Sequence, residues 1–580
     1  MLCRGRRVWL RRAGVGLVGA LALGLLAEAG HAAGPKPAAK PAAKPAAKPA
    51  AKSAAKGAAK PAAKPAARLP LDKAAQLLTP ELIRQHATAL TEGALADRRL
   101  GTTGAAAAQR HVAEQLAAAG LKPGGDSGFL QPLSLQIARA RLSEPLALRV
   151  VSTSIPVSIA VPPSQLVLLP TSAERSAGLR DAQIVFAGYG ITAPSLSWDD
   201  YKGADVRGKV VLVLDGDPQG MPERFGGPAW RRQGRFTSKL AEASRRGAAA
   251  VLLLHDDRAA GMTLDVLRSE RSAALLDPSA PRDKPRPQLI GLIAEDAARR
   301  IVQAGGQEWD VLRRSVETPA FAAVTLPVRL SVQLAVEAQP IESANVVGLV
   351  PGSDPQLRRE AVVVTAHLDG PPPAAATPGT GTAASPGARD SALGVAGLLA
   401  LAQASARGPA PRRTVVFAAL TASGGESLGA GRLLLGLGTQ RLKAVAHLNL
   451  DGLPVDAASP TVIQIGRGKS TLDAELDAVA KLQKRRVEPE PYPELGLFYR
   501  SDSARFAEAG IPSLFLGAAD LPRFLRERAL RPDDTMQPGW SLGGAAEDTR
   551  LLYRTLLRVT DGKRAPELLA TDEYATAPRK

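Results

Sequence analysis

The chain has 580 residues, with 74 Lys and Arg against 55 Asp and Glu, for a formal charge of +19; its length leaves room for two or three domains with substantial cores. The basic excess is local: of the +19, residues 1–32 carry +4 and residues 33–68 carry +9, leaving +6 for the remainder. That distribution does not imply a nucleic-acid-binding body, and a lone cysteine, Cys3, excludes a disulfide framework.

In chain order, residues 1–32 read as a secretory signal. Arg4, Arg6, Arg7, Arg11 and Arg12 form a basic start, Ala13 to Ala27 an apolar run, and small residues offer cleavage near Ala32 or Ala33. The chain is therefore expected to be exported, periplasmic or extracellular, with an uncleaved membrane anchor as the alternative. Residues 33–70 are a Lys/Pro/Ala-rich spacer built on a PAAK repeat. Proline at nearly every fourth position excludes a helix, and like charges extend the rest to about 100 Å at ~3.1 Å per residue. Such a spacer could hold an anionic envelope surface or have no specific partner.

Beyond it the pattern becomes that of a folded protein. Helices are predicted over 79–96 and 104–120, the second enclosing His111 as a structural residue and closing at Gly120. These belong to an N-terminal helical part, 71–135. Residues 136–342 hold many short β-type runs punctuated by glycine and proline: 165–169, 182–187, 209–214, 248–254 and 328–336. From 343 to 562 strands and helices alternate. Strands are predicted at 361–366, 414–421, 444–450 and 513–516, and helices at 391–406, 473–482 and 548–559. The fold class is α/β, a central mixed sheet flanked by helices with a β-rich insert. Residues 563–580 read as a flexible tail.

Three stretches then stand in order: NVVGLVPGSDPQLRREAVVVTAHLDG (345–370), GARDSALG (387–394) and LNLDG (448–452). Together they resemble the di-zinc aminopeptidase family, which includes glutamate carboxypeptidase-like and transferrin-receptor-like proteins. The insert resembles that family's protease-associated domain through FAGYGITAPSLSWDDYKGADVRGKVVLVLDGDP (186–218) and FTSKLAEASRRGAAAVLLLHDD (236–257).

The resemblance implies two zinc ions bridged by a carboxylate and a water, with a glutamate taking the water's proton. It assigns His367, Asp390 and Asp451 as the ligand set of one zinc ion, with Asp390 as the bridging carboxylate. Asp369 suits a carboxylate that orients His367.

The other half departs from the pattern. In FAALTASGGESLGAG (417–431), Ser423 stands where the family has its general-base glutamate and Gly424 where it has a glutamate ligand. Leu530, in ALRPDDT (529–535), stands in place of the second-zinc histidine. No histidine occurs after His447, so this loss does not depend on alignment. Ser503 also occupies a position where many relatives have histidine. Glu426 is the nearest substitute acid, and Asp502, Asp533 and Asp534 are oxygen donors for a rescued site; otherwise all four are surface charges or helix caps. The expectation is one zinc site with the second lost. The protein would be impaired in catalysis and act by binding a peptide or protein; the alternative is an active zinc exopeptidase using substitute ligands.

Overall fold

The computed structural model describes residues 68–575, apart from 144–145, 152–156, 226–231, 258–262, 271–272, 280–284, 371–384 and 425–426. The expected signal and almost all of the spacer lie outside the described residues, as does Glu426.

Alternation in the C-terminal half produces the expected layers. Strands Glu360–His367, Thr414–Leu420, Lys443–Leu450 and Ser513–Gly517 run parallel, with Glu360–His367 between the second and third. Each is apolar at nearly every position and buried, as a parallel strand covered on both faces must be. Helices Leu393–Arg407, Leu472–Leu482 and Gly543–Asp561 contribute to one buried cluster with Pro80–Thr91 and Thr103–Ala118. The two N-terminal helices begin at Thr79 and Thr102, whose hydroxyls accept from Leu82 N at 3.2 Å and Ala105 N at 3.0 Å. The structure thus shows an α/β chain with a large mixed sheet flanked by helices.

The predicted strand at 328–336 is part of a much longer one. Val324–Val350 runs through 27 residues and crosses the expected boundary at 343. It pairs antiparallel with Leu130–Leu142 from Leu334↔Leu142 to Val346↔Leu130, and then with Thr414–Leu420 from Val346↔Ala419 to Val350↔Val415. Its alternating half hid this continuity, because the polar residues Glu337, Gln339 and Glu342 read as the end of a strand. The insert also contains a parallel core, strands Ser176–Phe186, Val210–Leu214, Ala250–His255 and Leu289–Ala294, with helices Phe236–Arg245 and Glu295–Ala304 between and after them.

A second correction concerns the tail. Residues 563–575, expected to be flexible, are bound: Tyr574 is 1% exposed, and Leu569 N donates to Lys469 O at 3.0 Å. Low hydrophobicity suggested a free end, but one aromatic ring and two acids anchor it.

His447, the last histidine, lies inside a strand and shows what burial does to a titratable ring. Its ring stacks on Phe506 at 3.7 Å and contacts the hydroxyls of Thr365 and Ser513 at 2.7 Å each. Burial pushes its pKa down to about 3, so the native ring stays neutral where an unfolded one, near pH 6.5, takes a proton. Between those values the unfolded state binds more protons, and stability falls as pH falls, by ~1.4 kcal/mol per unit. Urea midpoints at pH 6.5 and 5 are therefore expected to fall less in His447→Gln than in the native chain, by about 2 kcal/mol of stability. Equal acid sensitivity would refute the assignment.

Candidate metal site

The C-terminal ends of the parallel strands place the chemistry, as open α/β sheets generally do. His367 ends the Glu360–His367 strand, Ser423 follows Thr414–Leu420, and Asp451 follows Lys443–Leu450. Asp390 lies in a single π-helical turn, Ala388–Ala392, that opens the Leu393–Arg407 helix. Gly394 lets that helix approach the sheet: a Cβ there would lie 2.4 Å from Leu450 O. This close approach brings the Asp390 turn beside Asp451.

The three expected ligands are neighbours. His367 Nε2 lies 2.8 Å from the main-chain carbonyl of Asp390 and 3.9 Å from Asp451 Oδ1. Its Nδ1 is 3.7 Å from Asp369 Oδ1, and the other Asp369 oxygen accepts from Ser423 N at 3.2 Å. The site is half open, with the His367 side chain 20% and the Asp451 side chain 31% exposed.

Electrostatics show an excess of carboxylate. Burial pushes the Asp390 carboxyl up to about 7, and Asp534, Asp451 and Asp369 add to the rise against the pull of His367. Burial alone would lower the His367 pKa, but the Asp369 carboxylate, as an acceptor for the protonated ring, and the charges of Asp451, Asp390 and Asp369 hold it well above its usual value. Burial also raises Asp451 and Asp534.

Two residues that the sequence reading passed over or misjudged brace this arrangement. Asp534 is not surface charge: it is 1% exposed and caps the π-turn, accepting from Arg389 N at 3.0 Å and Asp390 N at 3.1 Å. Arg98, also 1% exposed, donates to Leu368 O at 3.1 Å, Pro386 O at 2.7 Å, Gly387 O at 3.2 Å, Ser391 Oγ at 2.8 Å, and Leu90 O. It ties the segment after His367 to the segment before Asp390. Its stretch, ADRRLGTTG, carries no periodic signal that marks an interior arginine.

The remaining candidates separate clearly. Asp502, expected as surface charge, is 5% exposed, whereas Asp533 is exposed. Ser503 is fully buried. Beyond Gly424, a Cβ would meet nothing within 4 Å among the described residues. Leu530 packs among apolar residues of the insert and of the core, with a left-handed φ of 66°. Two non-glycine residues on the Ser423 loop, Ala422 at φ 53° and Ser427 at φ 47°, share that unusual conformation, which concentrates at functional loops.

Residues 345–543 match the model of peptidase family M28. Over that stretch the chain is similar to the M28 peptidases. In fold it is similar to an aminopeptidase from Aneurinibacillus sp. strain AM-1, at 16% identity and a TM-score of 0.50, covering 86% of this chain and 97% of that one. A peptidase M28 precursor from Shewanella amazonensis SB2B aligns over 86% and 97% at 16% identity and TM-score 0.43. A zinc aminopeptidase from Bacillus subtilis aligns over 84% and 97% at 16% identity and TM-score 0.43. No curated protein matches.

Zinc is the ion the three expected ligands would hold, and their donor chemistry fits it: one imidazole and two carboxylates, half-buried and rich in negative charge. The side chains do not already enclose a point. His367 Nε2 faces a main-chain carbonyl, and among the described residues no group of three His, Cys, Asp or Glu is disposed to hold a metal. The side chains of Ser423, Gly424 and Leu530 themselves offer no nitrogen and no carboxylate.

Proposed function

We propose that this protein is an exported member of the zinc-aminopeptidase group, impaired in hydrolysis, that acts by binding peptide or protein at the half-open edge of its M28 domain. The observation that carries the reading is the character of three positions: Ser423, Gly424 and Leu530 supply no carboxylate base, no oxygen ligand and no imidazole. His367, Asp390 and Asp451 would hold one zinc ion, which when bound supplies Lewis-acid polarisation of a carbonyl or water. The protein's own residues then do three things. Asp369 leans on Nδ1 of His367, Asp534 fixes the turn that carries Asp390, and Arg98 joins the two loops. Proton transfer from water has no carboxylate at position 423.

Removing a positioned general base lowers turnover by about 10²–10⁴-fold. Aminoacyl-nitroanilide hydrolysis by the zinc-loaded full chain is therefore expected at least that far below an active family member measured in parallel. Comparable rates would overturn the impaired reading.

One observation favours the alternative, an active exopeptidase. Burial raises the Asp502 carboxyl to about 6 beside Ser423, close to the range a general base needs. In that case Asp502→Asn removes whatever hydrolysis the native chain shows. As for location, no described helix is long and apolar enough to cross a membrane; export rests on residues 1–32.

A further inference from the structure

The insert meets the C-terminal half in two different ways. One is a stiff connection: strands Leu130–Leu142 and Val324–Val350 form an antiparallel ribbon, paired from Leu334↔Leu142 to Val346↔Leu130, that runs out of the insert and into the core. The other is a polar seam. Arg235 of the insert pairs with Glu508 at 2.5 Å and lies 6.0 Å from the centre of the Tyr499 ring. Glu573 accepts from Lys469 Nζ at 3.3 Å, from the Tyr499 hydroxyl and from the main-chain nitrogen of Arg232. Asp572 also takes Lys469, at 3.3 Å, and Arg232 sits over the Tyr574 ring at 5.5 Å.

This seam is imperfectly satisfied. Gln233 Oε1, Arg235 Nε and Tyr574 Oη are buried there without a hydrogen-bond partner. Opening the seam gives those atoms water, which offsets part of what the broken ion pairs lose. Polar contacts of this kind between parts of one chain allow relative motion, whereas large apolar ones fix the parts together.

The seam also reaches the metal site. Leu525 and Leu530 pack both against the apolar core of the insert and against the cluster that holds Tyr574. They belong to a segment fixed at each end to the turn that carries Asp390. Asp520 takes Arg389 Nη1 at 2.8 Å, and Asp534 accepts from Asp390 N at 3.1 Å.

We propose that residues 570–575 are a strap that latches the insert against the segment bracing the metal site, and that releasing the strap lets the insert swing on the two-stranded ribbon and loosens the Asp390 turn. Arg235 with Glu508, and Lys469 with Asp572 and Glu573, hold the closed state. The latch goes beyond the proposed binding role and operates whether or not the site holds zinc or hydrolyses anything.

The test uses spin labels on the full chain at Arg207→Cys in the insert and Lys484→Cys in the C-terminal half, both exposed positions. Cys3→Ser removes the one native cysteine. A single narrow distance distribution is expected without further change, and a second, longer one when Arg235→Gln and Glu573→Gln are added. In the same variant, amide exchange across 387–392 and 521–534 is expected to rise about tenfold, while strands Glu360–His367 and Val210–Leu214 keep their native protection. An unchanged distance distribution would overturn the latch, as would two distances already present before the seam is altered. Faster exchange throughout both cores would overturn it too, by showing a general loss of stability. Glu573→Gln alone is read in the same way where the double substitution does not fold.

Discussion

Replacing Arg98 by methionine is expected to destabilise the folded chain by about 3–5 kcal/mol, the range for breaking a buried ionic arrangement from one side. Methionine roughly keeps the length but removes the guanidinium that donates to the carbonyls of Leu90, Leu368 and Pro386. It also removes the cation whose field faces Asp390, Asp534 and Asp369. Burial pulls the guanidinium pKa down to about 10 against the pull of those acids, so the group stays charged at neutral pH. Arg98→Lys should fall between, because a compact ammonium cannot reach all the acceptors of a planar fork. Urea denaturation measures both, and a cost below about 1 kcal/mol for methionine would mean that the loops are held by packing alone.

The second large effect lies at the other end of the chain. Tyr574→Ala is expected to cost about 3–5 kcal/mol, as for truncation of a fully buried aromatic. The ring packs with Ile465, Tyr492, Phe498 and Tyr499, while Arg232 sits over it at 5.5 Å. Its neighbour Glu573 accepts from Lys469 Nζ at 3.3 Å and from the main-chain nitrogen of Arg232 in the insert. Residues 570–575 therefore join insert and core, together with the Arg235–Glu508 ion pair at 2.5 Å. Thermal melts of Tyr574→Ala would show the loss; an unchanged transition would restore the expectation of a free tail.

These two residues also mark where sequence reading stopped. Strand and helix positions in the C-terminal half were legible because burial on both faces leaves continuous apolar runs such as AVVVTAH and AVAHLNL. His367, Asp390 and Asp451 were legible because each follows such a run or a glycine-marked turn. The long strand Val324–Val350 was not, since half of it faces solvent and reads as turn. Arg98, Asp502 and Asp534 were not, because a charged residue looks exposed until its partners, all but one of them 270 or more residues away in the case of Arg98, are known. Tyr574 is a lone aromatic in a polar segment, without the periodicity that signals burial.

The central proposal is that the chain holds one zinc ion, at His367, Asp390 and Asp451. Elemental analysis of the purified chain, loaded with zinc and desalted, tests it most directly, because it needs no choice of substrate. One zinc ion per chain, lost in Asp390→Ala, is the predicted result. Two zinc ions per chain, both lost in that variant, would contradict it and restore a two-metal aminopeptidase.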